Sequence, residues 1–541
     1  MRITEKKQIG EKKVMPFTIP SGIVTTEVSC LESLAREIPE LGVLTTKSIG
    51  PQPRAGNREP ILAQYIPQGF VNAVGLTNPG AEEFAKKLSV ANFPQDKFLL
   101  ASIFGKDVLE FVYVAKTLED NVDGFELNLS CPHCDKVGMV LGQDKDIVGE
   151  ITHAVVSQTK KPVFVKLTPN ASNIGEIAKS AVSAGAYGIV AINTVGPGYY
   201  SFDGNAVLTN KVGGLSGVGI NPIGLKCARD IRQAVGEDVP IIGMGGIRNV
   251  ADVEAYAEVG ATFFGIGSAL AGMNEREIKV YFSALREDVD SNGWTNNAEG
   301  LLKKVDMQYR KVRVEKRVDS ACDFKIIQTE ESINALPGQF VFAWIPGIGE
   351  KPFSVMDDNP LTLGILERGE FTKKLNSLQK GYYFYVRGPY GQGINIPQNP
   401  NVVLVGGGCG IVGLYLLAKR LSKESVVSTL LGAKDREHIP YLKNFQRYGE
   451  VFIATEDGSE GIKGMVTDLF DNARLNRDSY FFNCGSRAMV EAVLPLELKI
   501  SQPELIYSSV DYMTRCGVGI CGSCADEQGR RTCVEGPFMR R

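Results

Sequence analysis

The chain has 541 residues, with 59 Lys plus Arg against 62 Asp plus Glu, for a formal net charge of −3. That balance carries no basic footprint for nucleic acid. With 43% apolar and 22% charged residues, disorder, collagen and coiled coil are excluded as well.

The length predicts three or four domains. The N-terminal stretch MRITEKKQIGEKKV is charged and has no apolar signal region. The stretch that most invites a membrane reading, 402–418, is uncharged but contains five glycines and is short for a bilayer span. A cytoplasmic protein with no membrane partner is expected. Only three histidines occur, His133, His153 and His438, which leaves little for a multi-histidine metal centre.

Eight short apolar runs follow, at 17–23, 43–47, 98–103, 124–129, 163–167, 188–193, 240–244 and 262–266. Helix-period segments such as DIVGEITHAVVSQT and NIGEIAKSAVSAG separate most of them. Eight strands alternating with helices over about 250 residues predict a (β/α)₈ barrel. An open doubly wound sheet is the second choice. In a barrel, chemistry sits at the carboxyl ends of the strands. The polar residues there are Lys47, Asn128, Cys131, Lys166, Asn193 and Thr194, with NAVGL (72–76) in the connection between the second and third runs. Any one of them could simply cap a strand; five strand ends together favour a ligand site. Glycines gather after the last strands, in GGLSG (213–217), GGI (245–247) and GIGSAL (265–270). Such turns offer backbone N–H groups to a phosphate.

Residues 17–273 resemble the barrel of class 1 dihydroorotate dehydrogenases. The matching stretches are TTKSIGPQPRAGN (45–57), NAVGLTNPG (72–80), ELNLSCPH (126–133), VKLTPN (165–170), INT (192–194), GGLSG and GGI. The resemblance implies bound FMN and a dihydroorotate or orotate ligand. It implies a pyrimidine site of Lys47, Asn72, Gly75, Leu76, Asn128, His133, Asn193 and Thr194. Along the flavin it implies Ser21, Gly22, Lys47, Ser48, Lys166, Ser216, Gly217, Gly245, Gly246, Gly267 and Ser268. Cys131 would be the catalytic base and Lys166 would lie beside the flavin N1–O2 edge. Oxidising a 5,6-dihydropyrimidine removes a C5 proton and a C6 hydride. A thiol with a pKa of about 8.5 can take the proton near neutrality. CPHC (131–134) also fits a redox pair or half a zinc site, but the barrel context and the lack of a second pair favour the base.

The same stretch is similar to dihydropyrimidine dehydrogenase in NLSCPH, GQD (142–144) and VKLTPN. His133 stands where the orotate family has Asn. Val74 stands where the dihydropyrimidine family carries a glutamate, which would repel a substrate carboxylate, so orotate is favoured.

Residues 274–305 read as a polar connection between domains. Beyond them KVRVEKRV, FKIIQT, GQFVFAWI, LTLGIL and GYYFYVRG alternate in strand period, predicting a small antiparallel barrel. From Asn401 the pattern becomes α/β: NVVLV, then GGGCG and a helix, then VVSTLLGA, EVFIATEDG and YFFNCGS. GGGCG alone is a weak nucleotide fingerprint. The order barrel then α/β sheet, with KPFSV (351–355), GPYGQG (388–393) and CGS (484–486), resembles ferredoxin–NADP reductase-like flavoproteins. That implies FAD and a nicotinamide nucleotide, NAD, at Lys351, Pro352, Phe353, Ser354, Thr372, Gly407, Gly408 and Gly410. Lys351 replaces the usual arginine and acts as a point charge.

Cys516, Cys521, Cys524 and Cys533 give C-x4-C-x2-C-x8-C. The first three have the plant-type [2Fe–2S] spacing, with zinc the weaker alternative. IATEDGSEGIKG (453–464) and EGPF (535–538) resemble the electron-transfer subunit of class 1B dihydroorotate dehydrogenase, here fused behind the catalytic part.

The expected architecture is therefore α/β: a TIM barrel over 1–300, a reductase-like β-barrel over 301–397, an α/β nucleotide-binding domain over 398–505 and an iron–sulfur segment over 506–541. The expected activity is dihydroorotate oxidation, with electrons passing from FMN through [2Fe–2S] and FAD to NAD⁺, in a homodimer. The alternatives are a uracil or thymine reductase and an electron-transfer module for a partner protein.

Overall fold

The computed structural model describes residues 3–129, 141–319, 323–395, 400–423, 425–473, 475–510 and 512–541. They form two units, residues 1–305 with 518–530 and residues 306–517 with 531–541.

The first unit begins with a hairpin, β1 (Lys7–Ile9) and β2 (Lys12–Val14). Next come β3 (Phe17–Ile19), β4 (Leu41–Thr45), β5 (Leu62–Ile66), β6 (Gly69–Asn72), β7 (Phe98–Ile103), β8 (Gly124–Asn128), β9 (Val163–Leu167) and β10 (Gly188–Ala191). Short strands β11 (Val195–Tyr199), β12 (Ser201–Phe202), β13 (Asn205–Ala206) and β14 (Val212–Gly217) precede β15 (Ile241–Met244) and β16 (Phe263–Gly265).

Strands β3, β4, β7, β8, β9, β10, β15 and β16 close into a parallel barrel in chain order, one strand for each apolar run. Parallel strands are covered on both faces, which is why each run is nearly continuously apolar. Outward residues such as Leu99, Phe125, Leu127, Val163 and Val165 pack against the helices. Inward residues Val43, Leu100, Phe164, Val190, Ile242 and Phe263 pack with Ile9 and Val14 of the hairpin. The hairpin thus plugs the amino end of the barrel and leaves the carboxyl end for a site.

Helices start where Asp or Asn side chains cap freed backbone N–H groups. Asp107 accepts from Glu110 N, Asp144 from Ile147 N, Asn173 from Glu176 N and Asn249 from Asp252 N. The polar connection expected over 274–305 is largely the last barrel helix, Glu275–Asp290. Its charge count hides an apolar stripe of Ile278, Tyr281, Phe282, Leu285 and Val289, at helical spacing and buried. Asn274 and Glu277 form a capping box at its start.

Two features extend the barrel. Strands β11, β14, β6 and β5 form an antiparallel side sheet in that order, with Asn72 in register with Gly214. Residues 518–530 bind onto the barrel beside the β3 loop. Val24 N donates to Ile520 O at 2.5 Å, Ser29 Oγ to Asp526 O at 2.9 Å and Gly272 N to Val518 O at 2.9 Å.

In the second unit, β17 (Arg310–Asp319), β18 (Phe324–Thr329), β19 (Phe340–Ile345), β20 (Gly349–Asp358), β21 (Leu361–Leu366) and β22 (Tyr383–Tyr390) close an antiparallel barrel. Arg387, on β22, is fully buried. Its guanidinium forks onto Glu350 at 2.7 and 2.6 Å, with both side chains buried. A seven-stranded sheet follows, made of β23 (Asn401–Gly407), β24 (Val426–Ala433), β25 (Glu450–Thr455), β26 (Ile462–Lys463), β27 (Tyr480–Gly485), β28 (Ile506–Val510) and β29 (Met539–Arg540). Its order is β26-β25-β24-β23-β27-β28-β29, parallel except for β29. The segment 506–541 therefore also supplies two strands to this sheet. Among the described residues no helix is long and apolar enough to cross a membrane.

Candidate active site

Polar side chains from six adjacent barrel strands or their ends converge at the carboxyl end. Ser21 Oγ, after β3, lies 3.1 Å from Ser48 Oγ, after β4. Ser48 Oγ lies 2.9 Å from Ser102 Oγ near the end of β7 and accepts from Asn128 Nδ2 at 2.9 Å. Asn193 Nδ2, after β10, donates to Asn128 Oδ1 at 3.3 Å, and Asn193 Oδ1 accepts from Thr194 N at 2.8 Å. Lys166 sits on β9 in register with Asn128. Lys47 is buried, and a Cβ on Gly22 would come 3.1 Å from its Nζ.

The side sheet abuts this end at Thr194. Asn72 Nδ2 donates to Gly214 O at 3.2 Å. A Cβ on Gly214 would lie 2.0 Å from Thr194 Oγ1, so only glycine fits there. Gly75 and Leu76 both have positive φ, 80° and 54°. Two successive residues at positive φ make a tight turn here, which glycine adopts freely. The same backbone is strained for Leu76, as is common where a ligand is held.

The glycine turns after β14 and β15 also meet. A Cβ on Gly246 would lie 2.7 Å from Gly217 O. Ser216 Oγ bonds Phe70 O at 3.4 Å. Gly267 and Ser268 open a short turn after β16, and Gly267 faces Pro20 and Ile23 beside Ser21 and Gly22. Gly245 lies next to Gly246. Cys131 and His133 lie outside the described residues.

This end fits an FMN. It has closely approached glycines at Gly22, Gly246 and Gly267, hydroxyl and amide groups at Ser21, Ser48 and Asn128, and two buried lysines. It also holds a buried carboxylate, Glu126, whose oxygens have no hydrogen-bond partner among the described residues. Neither Ser102 nor Glu126 was singled out from the sequence. Each is a polar residue inside an otherwise apolar strand, and that was the available signal.

In the second unit, Lys351 is exposed and Pro352, Phe353 and Ser354 are half-exposed on β20. Phe353 stacks on Phe371 at 6.3 Å between centroids. A Cβ on Gly413 would lie 3.5 Å from Ser354 Oγ, so the turn after β23 runs beside this strand. Within that turn Gly408 faces open space, while Gly407 and Gly410 abut Met489 and the Cys484 carbonyl. This pairing of a half-exposed strand with an open glycine turn fits a dinucleotide. Thr372 Oγ1 accepts from the Arg368 and Gly369 N–H groups at 2.9 and 3.0 Å, so it caps its own helix.

Cys516, Cys521, Cys524 and Cys533 are all buried. Cys521 and Cys524 belong to the first unit, Cys516 and Cys533 to the second. Among the described residues no three His, Cys, Asp or Glu side chains converge on one metal ion. Thiolates are the donors an iron–sulfur cluster takes, and each of these buried thiols is of that kind.

The family model for dihydroorotate dehydrogenase matches residues 4–280. The catalytic subunit of dihydroorotate dehydrogenase B (NAD(+)) from Pyrococcus horikoshii is 37% identical over 307 residues, covering 56% of this chain and 99% of that protein. Its counterpart from Methanocaldococcus jannaschii is 41% identical over 259 residues, covering 47% of this chain and 83% of that protein. A solved structure of an NADH-dependent reduced ferredoxin-NADP oxidoreductase is 28% identical with a TM-score of 0.39, covering 42% of this chain and 87% of that one.

Proposed function

The chain belongs to the dihydroorotate dehydrogenase family, and from that premise we propose that it oxidises dihydroorotate to orotate and delivers the electrons to NAD⁺. The observation that carries the reading is the hydrogen-bonded set Ser48–Asn128–Asn193 beside Lys166 at the carboxyl end of the barrel.

The residues divide the work by chemistry. Asn72, Asn128 and Asn193 present amide donors and acceptors that match the N–H and C=O groups of a pyrimidine ring. Thr194 and the Asn193 side chain lock one another, which fixes the ring contact before substrate arrives. The N–H groups around Gly75 and Leu76, with Lys47, would hold the substrate carboxylate. Cys131 Sγ takes the C5 proton. Lys166 places positive charge where negative charge develops, an electrostatic contribution made without reorganisation.

Ser21, Gly22, Ser48, Lys166, Ser216, Gly217, Gly245, Gly246, Gly267 and Ser268 would hold FMN. Residues 351–354 with Gly407, Gly408 and Gly410 would hold FAD and NAD, and the four cysteines a [2Fe–2S] cluster. When bound, FMN would supply hydride acceptance, the cluster one-electron carriage, and FAD hydride donation to NAD⁺.

Anaerobic titration tests the reading. Dihydroorotate should bleach the flavin absorbance of the purified protein while dihydrouracil leaves it unchanged, and NAD⁺ should then restore it. Bleaching by dihydrouracil but not dihydroorotate would overturn the substrate assignment.

A further inference from the structure

The barrel interior holds a charged group, Glu126, that the proposed reaction does not use. Barrel interiors are ordinarily filled by branched apolar side chains in layers. The inward column of β8 reads Gly124, Glu126, Asn128, and that of β9 reads Phe164, Lys166. The register pairs Asn128 with Lys166 and Glu126 with Phe164, so Glu126 lies one layer below the two site residues. Its side chain is 1% exposed, and its Oε1 lies 3.6 Å from Lys166 Nζ. Neither of its oxygens has a hydrogen-bond donor among the described residues.

A carboxylate that no protein group hydrogen-bonds is costly to bury unless a cation compensates it. Lys166 is that cation. The compensation runs both ways: a negative charge 3.6 Å behind the ammonium weakens the field the ammonium sends toward the ligand face.

We propose that Glu126 is a positioning residue that holds Lys166 from below and offsets part of its charge, thereby setting how far the site favours reduced flavin. This rests on reading Lys166 as the residue beside the flavin N1–O2 edge. An ammonium there stabilises the negative charge of reduced FMN and raises its midpoint potential. The carboxylate beneath it holds the potential down, which leaves the reduced flavin willing to pass its electrons on.

The test is a spectroelectrochemical titration of the full chain, with FMN content measured first. Glu126→Gln keeps the shape and removes the charge. At a fixed potential its ratio of reduced to oxidised FMN should rise about tenfold, about 30 mV for a two-electron couple. Glu126→Asp keeps the charge and should stay near wild type. Lys166→Met should shift the ratio in the opposite direction. Adding Glu126→Gln to Lys166→Met should then change it far less than adding it to wild type, because the partner is gone. An unchanged ratio in Glu126→Gln, or an equal shift in both backgrounds, would overturn the proposal. Wild-type protein that binds no FMN would refute the flavin reading itself. Loss of FMN from a folded Glu126→Gln would show that the Glu126 charge serves to retain the flavin rather than to set its potential, which also overturns the proposal.

Discussion

Glu497 offers a prediction whose size can be worked from the structure. It ends the helix Arg487–Glu497 and is fully buried beneath β27. Asn483 Nδ2 donates to both its oxygens, at 3.0 and 2.8 Å, while Asn483 Oδ1 has no partner among the described residues. Burial pushes the carboxyl from its ordinary 4.5 up to about 7, with the Asn483 bonds pulling weakly the other way. That rise corresponds to about 3 kcal/mol. The sign follows from where the proton sits. Below pH 4.5 the group is protonated in both folded and unfolded chains, and no penalty exists. From 4.5 to about 7 the unfolded chain releases the proton while the folded chain keeps it, so stability falls as pH rises, then levels off. Glu497→Gln removes the titration, and its amide can pair with Asn483 and satisfy the orphaned Oδ1. The variant should match wild type near pH 4.5 and exceed it by up to about 3 kcal/mol at pH 8. The assay is denaturant unfolding of both proteins at the two pH values, followed through the transition of the second unit. A gain of equal size at both pH values would refute the reasoning, since it would come from packing and not from the proton.

Three further outcomes are expected. Gly214→Ala forces a methyl group onto Thr194 and displaces the Asn193–Asn128 pair, so the KM for dihydroorotate should rise about tenfold, about 1.4 kcal/mol, with the fold intact; steady-state kinetics check this. Arg387→Met leaves Glu350 buried and without its fork, which should cost about 3–5 kcal/mol in unfolding experiments; the double variant with Glu350→Gln should recover most of that loss. Cys521→Ser should leave dihydroorotate able to bleach FMN and NADH able to reduce FAD, while dihydroorotate-dependent NADH formation collapses in a coupled absorbance assay. Persistent NADH formation with the cluster absent would exclude the relay.

The eight barrel strands were legible because burial on both faces makes each a short apolar run, a property of the local sequence alone. The same holds for five of the six strands of the antiparallel barrel, whose alternation and turns are local signals; β20 was read only as the carrier of KPFSV. Helix Glu275–Asp290 was legible in principle, but its charges masked a stripe that becomes visible only at helical spacing. Much of the site could also be read from strand ends: Lys47, Asn128, Lys166 and Asn193 are where barrel geometry requires them. Ser102 and Glu126 could not be assigned that way, because what makes them matter is a partner far along the chain, Ser48 for one and Lys166 for the other. The return of residues 518–530 to the β3 loop is of the same kind. Periodicity and spacing report which faces a segment must bury. Which distant segments share a buried charge or a backbone hydrogen bond is set by closure of the barrel, and only the tertiary structure decides it.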